Sequence, residues 1–146
     1  MDRFGLFDTS TLVAAMVEDH PQHDRCLPWL QRARRGEVEF LVAAHSLAEL
    51  FAVLSSWPSR PRLSPSVAGR LVHENVTLSA RVVTLSAGDY EAVVRDVAEK
   101  GLAGGVVCDA LVARAAHEAG AERLLTLNPR HFLRVWPEAG RIVASP

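Results

Sequence analysis

An apolar run near the N-terminus stops abruptly at an aspartate. Leu6 and Phe7 end the run before Asp8, and three hydroxyl residues then lead into a second apolar stretch that begins at Leu12. This order predicts a short buried strand, a helix N-cap and a helix. In open α/β sheets, ligands and metals gather at the carboxyl ends of the strands. Asp8 is therefore a candidate for chemistry, although the same position would also suit a simple helix cap.

Segments with strand and helix character alternate along the rest of the chain. Continuous or β-branched apolar runs predict strands at 38–42, 81–85, 122–127 and 141–144. Apolar residues at helical spacing predict helices at 22–35, 44–54, 66–76, 90–100 and 106–120. Strands that alternate with helices predict a mainly parallel sheet that is covered by helices on both faces.

The composition excludes several classes of protein. With 146 residues, 49% hydrophobic and 23% charged, the chain is not disordered, and we expect one domain over residues 1–146. The formal net charge of −1 gives a nucleic-acid partner no bulk electrostatic support. No apolar run approaches the ~20 residues that span a bilayer, so we expect no membrane segment. Two cysteines without a CxxC pair, and no signal peptide at the start, favour a reducing, cytoplasmic setting.

Three carboxylates stand beside apolar segments: Asp8 after a strand, Glu49 in a helix and Asp109 near a helix start. Charged residues are rarely buried without a partner, and no basic residue is close in sequence to any of the three. Two such charges ~4 Å apart would repel by about 4 kcal/mol at an effective dielectric of about 20. A hard divalent ion, Mg²⁺ or Mn²⁺, is the natural occupant if they converge. Neutral oxygens could be added by Ser10, Thr126 and Asn128.

Four sequence blocks, in order along nearly the whole chain, carry a family resemblance. They are Leu6-Phe-Asp-Thr-Ser-Thr-Leu12, Ser46-Leu-Ala-Glu49, Cys108-Asp-Ala-Leu-Val-Ala113 and Leu124-Leu-Thr-Leu-Asn-Pro-Arg-His-Phe132. Each block alone is weakly specific, but the ordered set resembles the signature blocks of PIN-domain proteins. The resemblance is closest to VapC-type toxins of bacterial toxin–antitoxin pairs. It implies a three-layer α/β/α sandwich with a four- to five-stranded, mainly parallel sheet.

The same resemblance implies an activity, a cofactor and partners. It implies an endoribonuclease that hydrolyses RNA phosphodiester bonds with Mg²⁺ or Mn²⁺. It also implies a homodimer, and a cognate VapB-like antitoxin that plugs the site.

Individual residues can be matched to the family pattern. Three acids match its catalytic metal ligands: Asp8, Glu49 and Asp109. Two hydroxyl residues match its supporting positions: Ser10 and Thr126. The chain departs from the pattern at a fourth acidic position, where uncharged Asn128 stands and His131 follows three residues later.

Basic side chains beside the acids would hold an RNA backbone without reading its bases. The candidates are Arg60, Arg62, Arg114 and Arg130, with His131 as a further phosphate contact. Their ordinary role would be solvated charge, so the RNA role depends on their clustering at the acidic site.

Two other classes of function stay open on the sequence. A phosphoryl-transfer enzyme with Asp8 as nucleophile would need a second aspartate two residues later, where Ser10 stands. A non-catalytic α/β interaction module would explain the folding pattern, but it would leave Glu49 and Asp109 without a role.

Two further patterns receive weaker interpretations. The spacing His20-x-x-His23-x-x-Cys26 resembles a zinc site, but no second pair follows it. Cys108 is interpreted as a small buried hydrophobic residue, because no histidine and acid pair frames it.

Overall fold

The computed structural model describes residues 2–59 and 61–146, so Arg60 lies outside the described residues. The strands are β1 (Asp2–Phe7), β2 (Val38–Ala43), β3 (Arg81–Val83), β4 (Leu124–Leu125) and β5 (Val143–Ala144). The helices are α1 (Thr9–Met16), α2 (His23–Arg34), α3 (Ala44–Ser56), α4 (Pro65–Val72), α5 (Ala87–Glu99), α6 (Val106–Glu118) and α7 (Pro129–Val135). A π-helical turn at His73–Thr77 follows α4, and a 3-10 turn at Pro137–Arg141 precedes β5.

Within the described residues, the five strands form one parallel sheet in the order β3-β2-β1-β4-β5. In chain order, β2 and β3 lie on one side of β1, and β4 and β5 follow on its other side. The carboxyl ends of β1 and β4 therefore flank the point at which the strand order reverses. In open α/β sheets, this switch point is where ligands bind.

Successive residues of each strand point to opposite faces of the sheet, and this alternation divides the core into two clusters. Phe7 and Val42 lie in the cluster on the side of α1, α2, α3 and α4. Their chain neighbours Leu6 and Leu41 lie in the cluster on the side of α5, α6 and α7. The predicted three-layer α/β/α sandwich is confirmed.

Gly5 lies where β1 and β4 approach each other closely. Its φ of 90° is in the region that favours glycine, and a Cβ atom built there would lie 2.6 Å from the backbone oxygen of Arg123. The same Arg123 oxygen accepts a hydrogen bond from the Leu6 N–H at 2.9 Å. The absence of a side chain at Gly5 therefore permits the pairing that aligns the two strand ends.

The C-terminal part differs most from the sequence prediction. The strand expected at 122–127 is limited to β4, and α7 follows it, although no helix was predicted there. Pro129 occupies the first turn of α7, where its missing N–H costs nothing, so it begins a helix instead of only ending a strand. Across the described ranges, every helix is too short or too polar to span a membrane.

Candidate active site

Two neighbouring strand ends bring the first acid and a buried hydroxyl together. Phe7 of β1 pairs with Leu125 of β4, and the next residues along the strands are Asp8 and Thr126. The N–H of Asp8 donates to the Leu125 carbonyl at 2.9 Å, which fixes this register beyond the last strand residue. Asp8 and Thr126 are both buried as a result.

The helices α3 and α6 bring the other two acids to the same edge of the sheet. Glu49 lies in the second turn of α3, which starts directly after β2, and Asp109 lies in the first turn of α6. With Asp8 they line a cavity of about 560 Å³. The remaining lining residues are Thr9, Ser10, Val13, His20, Pro21, Gln22, Val53, Leu127 and Asn128. The structure thus gathers the three predicted acids in one cavity.

Asp8 is held by two hydroxyl groups. Its Oδ2 atom accepts hydrogen bonds from Ser10 Oγ at 2.7 Å and from Thr126 Oγ1 at 2.9 Å. Although Asp8 occupies the N-cap position of α1, its side chain makes no capping hydrogen bond there. The N–H groups of Thr9 and Ser10 still lower the pKa of this carboxylate, so Asp8 serves the start of α1 as well as the acidic cavity.

Backbone N–H groups fix both hydroxyl groups in turn. Leu127 N donates to Ser10 Oγ at 3.1 Å, and Asn128 N donates to Thr126 Oγ1 at 2.9 Å. Each hydroxyl has one proton and an ionised carboxylate only accepts hydrogen bonds, so both protons are directed at Asp8. Among the described residues, the Oδ1 atom of Asp8 receives no hydrogen bond from a side chain.

The pKa of each of the three acids is raised in the folded protein. Burial, followed by the charges of Asp8 and Asp109, raises the pKa of Glu49 to about 7. Burial and then the Asp8 charge raise the pKa of Asp109, and the charges of His131 and Arg134 oppose the rise. Burial is also the largest cause of the raised pKa of Asp8. The site therefore favours a proton or a cation.

The basic side chains nearest to the acids are histidines. His131 Nδ1 lies 3.8 Å from Asp109 Oδ2, and His45 Nε2 lies 3.2 Å from Glu49 Oε1. A histidine carries a full charge only when it is protonated. In the part of the chain that the structure describes, no arginine or lysine forms an ion pair with the three acids. An uncompensated set of carboxylate oxygens fits Mg²⁺ or Mn²⁺.

The three acids share the cavity without forming a closed cage. Their oxygens do not all lie within 4.8 Å of one another; among the described residues, the group that meets this distance is His45, Glu49 and Cys108. Mg²⁺ usually keeps several waters and is held by one or two carboxylates, so an open set of acids fits it.

The predicted RNA-contacting residues lie in different places. Arg114 pairs with Asp89 at 2.9 Å and with Glu118 at 3.2 Å, and it lines a separate cavity between α5, α6 and α7. Arg130 and His131 are exposed in the first turn of α7, next to the acidic cavity through Asn128. An RNA contact of Arg130 and His131 stays a prediction, and the position of Arg114 gives that role no support.

The residues of the zinc-like spacing do not converge on a metal site within the described ranges. His20 Nδ1 accepts from the Gln22 N–H at 3.0 Å, and His23 Nδ1 lies 2.8 Å from the Ala14 carbonyl oxygen. Cys26 is fully buried, and burial raises the pKa of its thiol to about 11. The spacing is therefore explained by helix packing.

Cys108 has a histidine and an acid nearby, contrary to the sequence interpretation. His45 Nε2 lies 3.4 Å from Cys108 Sγ and also contacts Glu49. Cys108 is half-buried instead of fully buried. The premise that no histidine and acid pair frames Cys108 is wrong, because α3, which lies far back in the sequence, supplies both neighbours. Burial and the charges of Glu49 and Asp109 raise the pKa of the Cys108 thiol, which agrees with the interpretation that it is not a reactive thiolate. The spacing of His45 and Glu49, four residues apart on one helix, was the only signal for this cluster.

Replacement of Glu49 by glutamine is expected to make the fold less sensitive to pH. The pKa of Glu49 is about 7 in the folded protein and about 4.3 in an unfolded chain, so the folded state binds more protons between these values. Without a divalent ion, wild-type stability should therefore fall by roughly 1–2 kcal/mol as the pH rises from 4.5 to 7, after a discount for solvent.

Urea unfolding of both proteins across this pH range, in EDTA, measures the effect. The Glu49→Gln variant should lose less stability than the wild type as the pH rises. Equal losses of unfolding free energy in the two proteins would show that the pKa of Glu49 is not raised in the folded protein.

The sequence and the fold were compared with those of known proteins. A family model described as PIN domain matches residues 6–135. Ribonuclease VapC27 of Mycobacterium tuberculosis is 37% identical over 115 residues, which cover 79% of this chain and 78% of that protein. Ribonuclease VapC40 of the same species is 33% identical over 123 residues, which cover 84% of this chain and 85% of that protein.

Solved structures show the same fold at lower identity. VapC20 of M. tuberculosis, described as a toxin that cleaves the sarcin-ricin loop, has a TM-score of 0.71 and 16% identity, with 97% of this chain and 98% of that chain covered. VapBC2 from Rickettsia felis, bound to a DNA fragment from its promoter, has a TM-score of 0.61 and 19% identity, with 97% of each chain covered.

Proposed function

The chain belongs to the PIN-domain family, and from this membership and its acidic cavity we propose that it is an endoribonuclease that hydrolyses RNA phosphodiester bonds. Mg²⁺ or Mn²⁺ is the proposed cofactor. One observation carries the proposal: Asp8, Glu49 and Asp109 converge on one cavity, and no arginine or lysine among the described residues forms an ion pair with them, although the charge of Arg134 lowers the pKa of Asp109. A cation is the simplest way to relieve their mutual repulsion.

Asp8 is the proposed anchor of the metal. Its Oδ2 atom is occupied by the two hydroxyl groups of Ser10 and Thr126, so its orientation is fixed before any ligand arrives. Fixed ligands lose little freedom on binding, which favours both affinity and catalysis. Ser10 and Thr126 are therefore proposed as positioning residues.

Asp109 and Glu49 would complete the acidic set from the two helices. A bound Mg²⁺ or Mn²⁺ would act as a Lewis acid on the scissile phosphate and make a bound water more acidic. The carboxylates would orient that chemistry, and no side chain has to form a covalent intermediate. Asn128, at the mouth of the cavity, would add a neutral oxygen where a fourth acid would otherwise stand.

The start of α7 is the proposed contact for the RNA backbone. Arg130 and His131 are exposed there, and His131 already lies within 3.8 Å of Asp109. A phosphate at the cavity could be contacted by the Arg130 guanidinium and the His131 imidazole. Such contacts position a backbone without selecting a base.

We also propose that the chain is the toxin of a VapBC-type toxin–antitoxin pair. The curated relatives have VapC names, and their identity to this chain exceeds 30% over most of its length. A VapB-like antitoxin would cover the acidic cavity, and a second copy of the chain would form a homodimer. Phe51, two residues after Glu49 on α3, is 40% exposed and would suit such an interface.

An alternative use of Asp8 as a phosphoryl-transfer nucleophile has less support. Asp8 is only 5% exposed, and the residue two positions later is Ser10, which donates to it instead of acting as a general acid. A buried carboxylate with one oxygen occupied is poorly placed for attack on a phosphate.

Incubation of the purified protein with total RNA tests the nuclease proposal. RNA should be cleaved with Mg²⁺ or Mn²⁺, stay intact with EDTA, and be cleaved again when the ion is restored. The Asp109→Asn variant, purified in parallel, controls for contaminating ribonucleases and should be inactive. Wild-type cleavage that persists in EDTA would refute the metal dependence, and no cleavage of any RNA with either ion would favour a non-catalytic interaction module.

A further inference from the structure

Two side chains that RNA cleavage does not explain lie beside Glu49 of the acidic cavity. His45 and Glu49 are one helical turn apart on α3, and Cys108 lies in the first turn of α6. Each offers one potential ligand atom, and the three atoms all lie within 4.8 Å of one another. The side chains of His45 and Glu49 are 28% and 31% exposed, so an ion from solvent can reach them.

The distances match those of a tetrahedral zinc site. Zn²⁺ binds imidazole nitrogen, carboxylate oxygen and thiolate sulfur at about 2.0–2.3 Å, so adjacent ligand atoms are about 3.4–3.6 Å apart. His45 Nε2 lies 3.4 Å from Cys108 Sγ and 3.2 Å from Glu49 Oε1. Two of the three distances between the ligand atoms are thus already close to those of a zinc site.

The chemical types of the ligands also select zinc over magnesium. Imidazole and thiolate suit Zn²⁺, whereas Mg²⁺ prefers carboxylates, carbonyls and water. Ligands four residues apart share one face of a helix, a spacing that helical zinc sites use. Three protein ligands would leave the fourth position to water or to another group.

We propose that His45, Glu49 and Cys108 form a zinc-binding site that shares Glu49 with the acidic cavity. Zinc at this site would hold the Glu49 carboxylate beside His45 and away from Asp8 and Asp109. Zinc would therefore inhibit RNA cleavage. This consequence rests on the proposed nuclease function, whereas zinc binding itself does not.

Co²⁺ is a suitable probe because it replaces Zn²⁺ and is coloured. The wild-type protein should bind one Co²⁺ with an ultraviolet thiolate-to-cobalt band and the intense visible bands of tetrahedral coordination. An equivalent of Zn²⁺ should abolish these bands, and excess Mg²⁺ should not. The Cys108→Ala variant should lose the thiolate band, and His45→Ala should bind Co²⁺ at least about tenfold more weakly.

Two matched variants control for general effects of these substitutions. Cys26→Ala removes the other cysteine, and His73→Ala removes an exposed histidine outside the cluster. Both should keep the wild-type cobalt spectrum. A thiolate band that persists in Cys108→Ala, or a wild-type spectrum without thiolate or tetrahedral bands, would overturn the site.

The RNA assay tests the inhibitory consequence separately. Zn²⁺ should inhibit wild-type cleavage at least about tenfold more strongly than it inhibits Cys108→Ala. Equal inhibition of both would overturn the competition for Glu49. The cobalt result decides the zinc site by itself, so failure of the nuclease proposal and failure of the zinc site can be distinguished.

Discussion

Replacement of Asp8 by asparagine is expected to slow RNA cleavage by about a thousandfold or more, which is about 4 kcal/mol of transition-state stabilisation. Asparagine has the same shape, and its oxygen can still accept from Ser10 and Thr126, so the network should survive. The variant loses the negative charge, and its amide nitrogen would replace the second carboxylate oxygen, which is the proposed metal ligand. Single-turnover cleavage of a defined RNA measures the effect.

Asp24→Asn is the matched control for this substitution. Asp24 is exposed in the first turn of α2 and does not line the acidic cavity, so its variant should cleave at the wild-type rate. Circular dichroism should show that both variants keep the wild-type fold. A cleavage rate for Asp8→Asn within a few fold of the wild type would remove Asp8 from the catalytic machinery.

Replacement of Gly5 by alanine is expected to destabilise the fold by roughly 2–4 kcal/mol. The new Cβ would lie 2.6 Å from the Arg123 oxygen and 3.1 Å from the Arg123 nitrogen, and both are backbone atoms that cannot rotate away. The strands β1 and β4 would have to separate. Since their alignment places Asp8 beside Thr126, RNA cleavage should also fall.

Gly36→Ala separates the steric effect from backbone strain. Gly36 also has a positive φ, 74°, but a Cβ atom there would meet nothing within 4 Å. This variant should lose only about 1 kcal/mol of unfolding free energy, because alanine is strained at this positive φ but its Cβ atom meets no other atom. Urea unfolding compares the two. Equal losses of unfolding free energy in both variants would show that the close approach of β1 and β4 at Gly5 does not add to the destabilisation.

Local sequence patterns predicted the central part of the fold well. Helix α3 and strands β1 and β2 follow from apolar spacing, because burial on one or both faces leaves a clear period in the sequence. The convergence of Asp8, Glu49 and Asp109 was also predicted, since each acid stood beside an apolar segment without a local basic partner. Their placement in one cavity agrees with that prediction, and their catalytic role remains proposed.

Other features depend on contacts between distant segments and have no local signal. The start of α7 was missed because Pro129 both ends strands and begins helices, and only packing of Phe132 in the core decides between them. The proximity of His45 to Cys108 joins two helices that no sequence spacing relates. The direction of the Ser10 and Thr126 protons depends on backbone donors after β4, which the sequence cannot locate.

The proposed function depends on a divalent cation being bound in the cavity that Asp8, Glu49 and Asp109 line, and a calorimetric titration with Mn²⁺ measures this directly. The wild-type protein should bind Mn²⁺, the Asp24→Asn variant should bind it equally well, and Asp8→Asn and Asp109→Asn should each bind it at least about tenfold more weakly. Mn²⁺ binding of equal strength in the wild type and in both site variants would contradict the shared metal site.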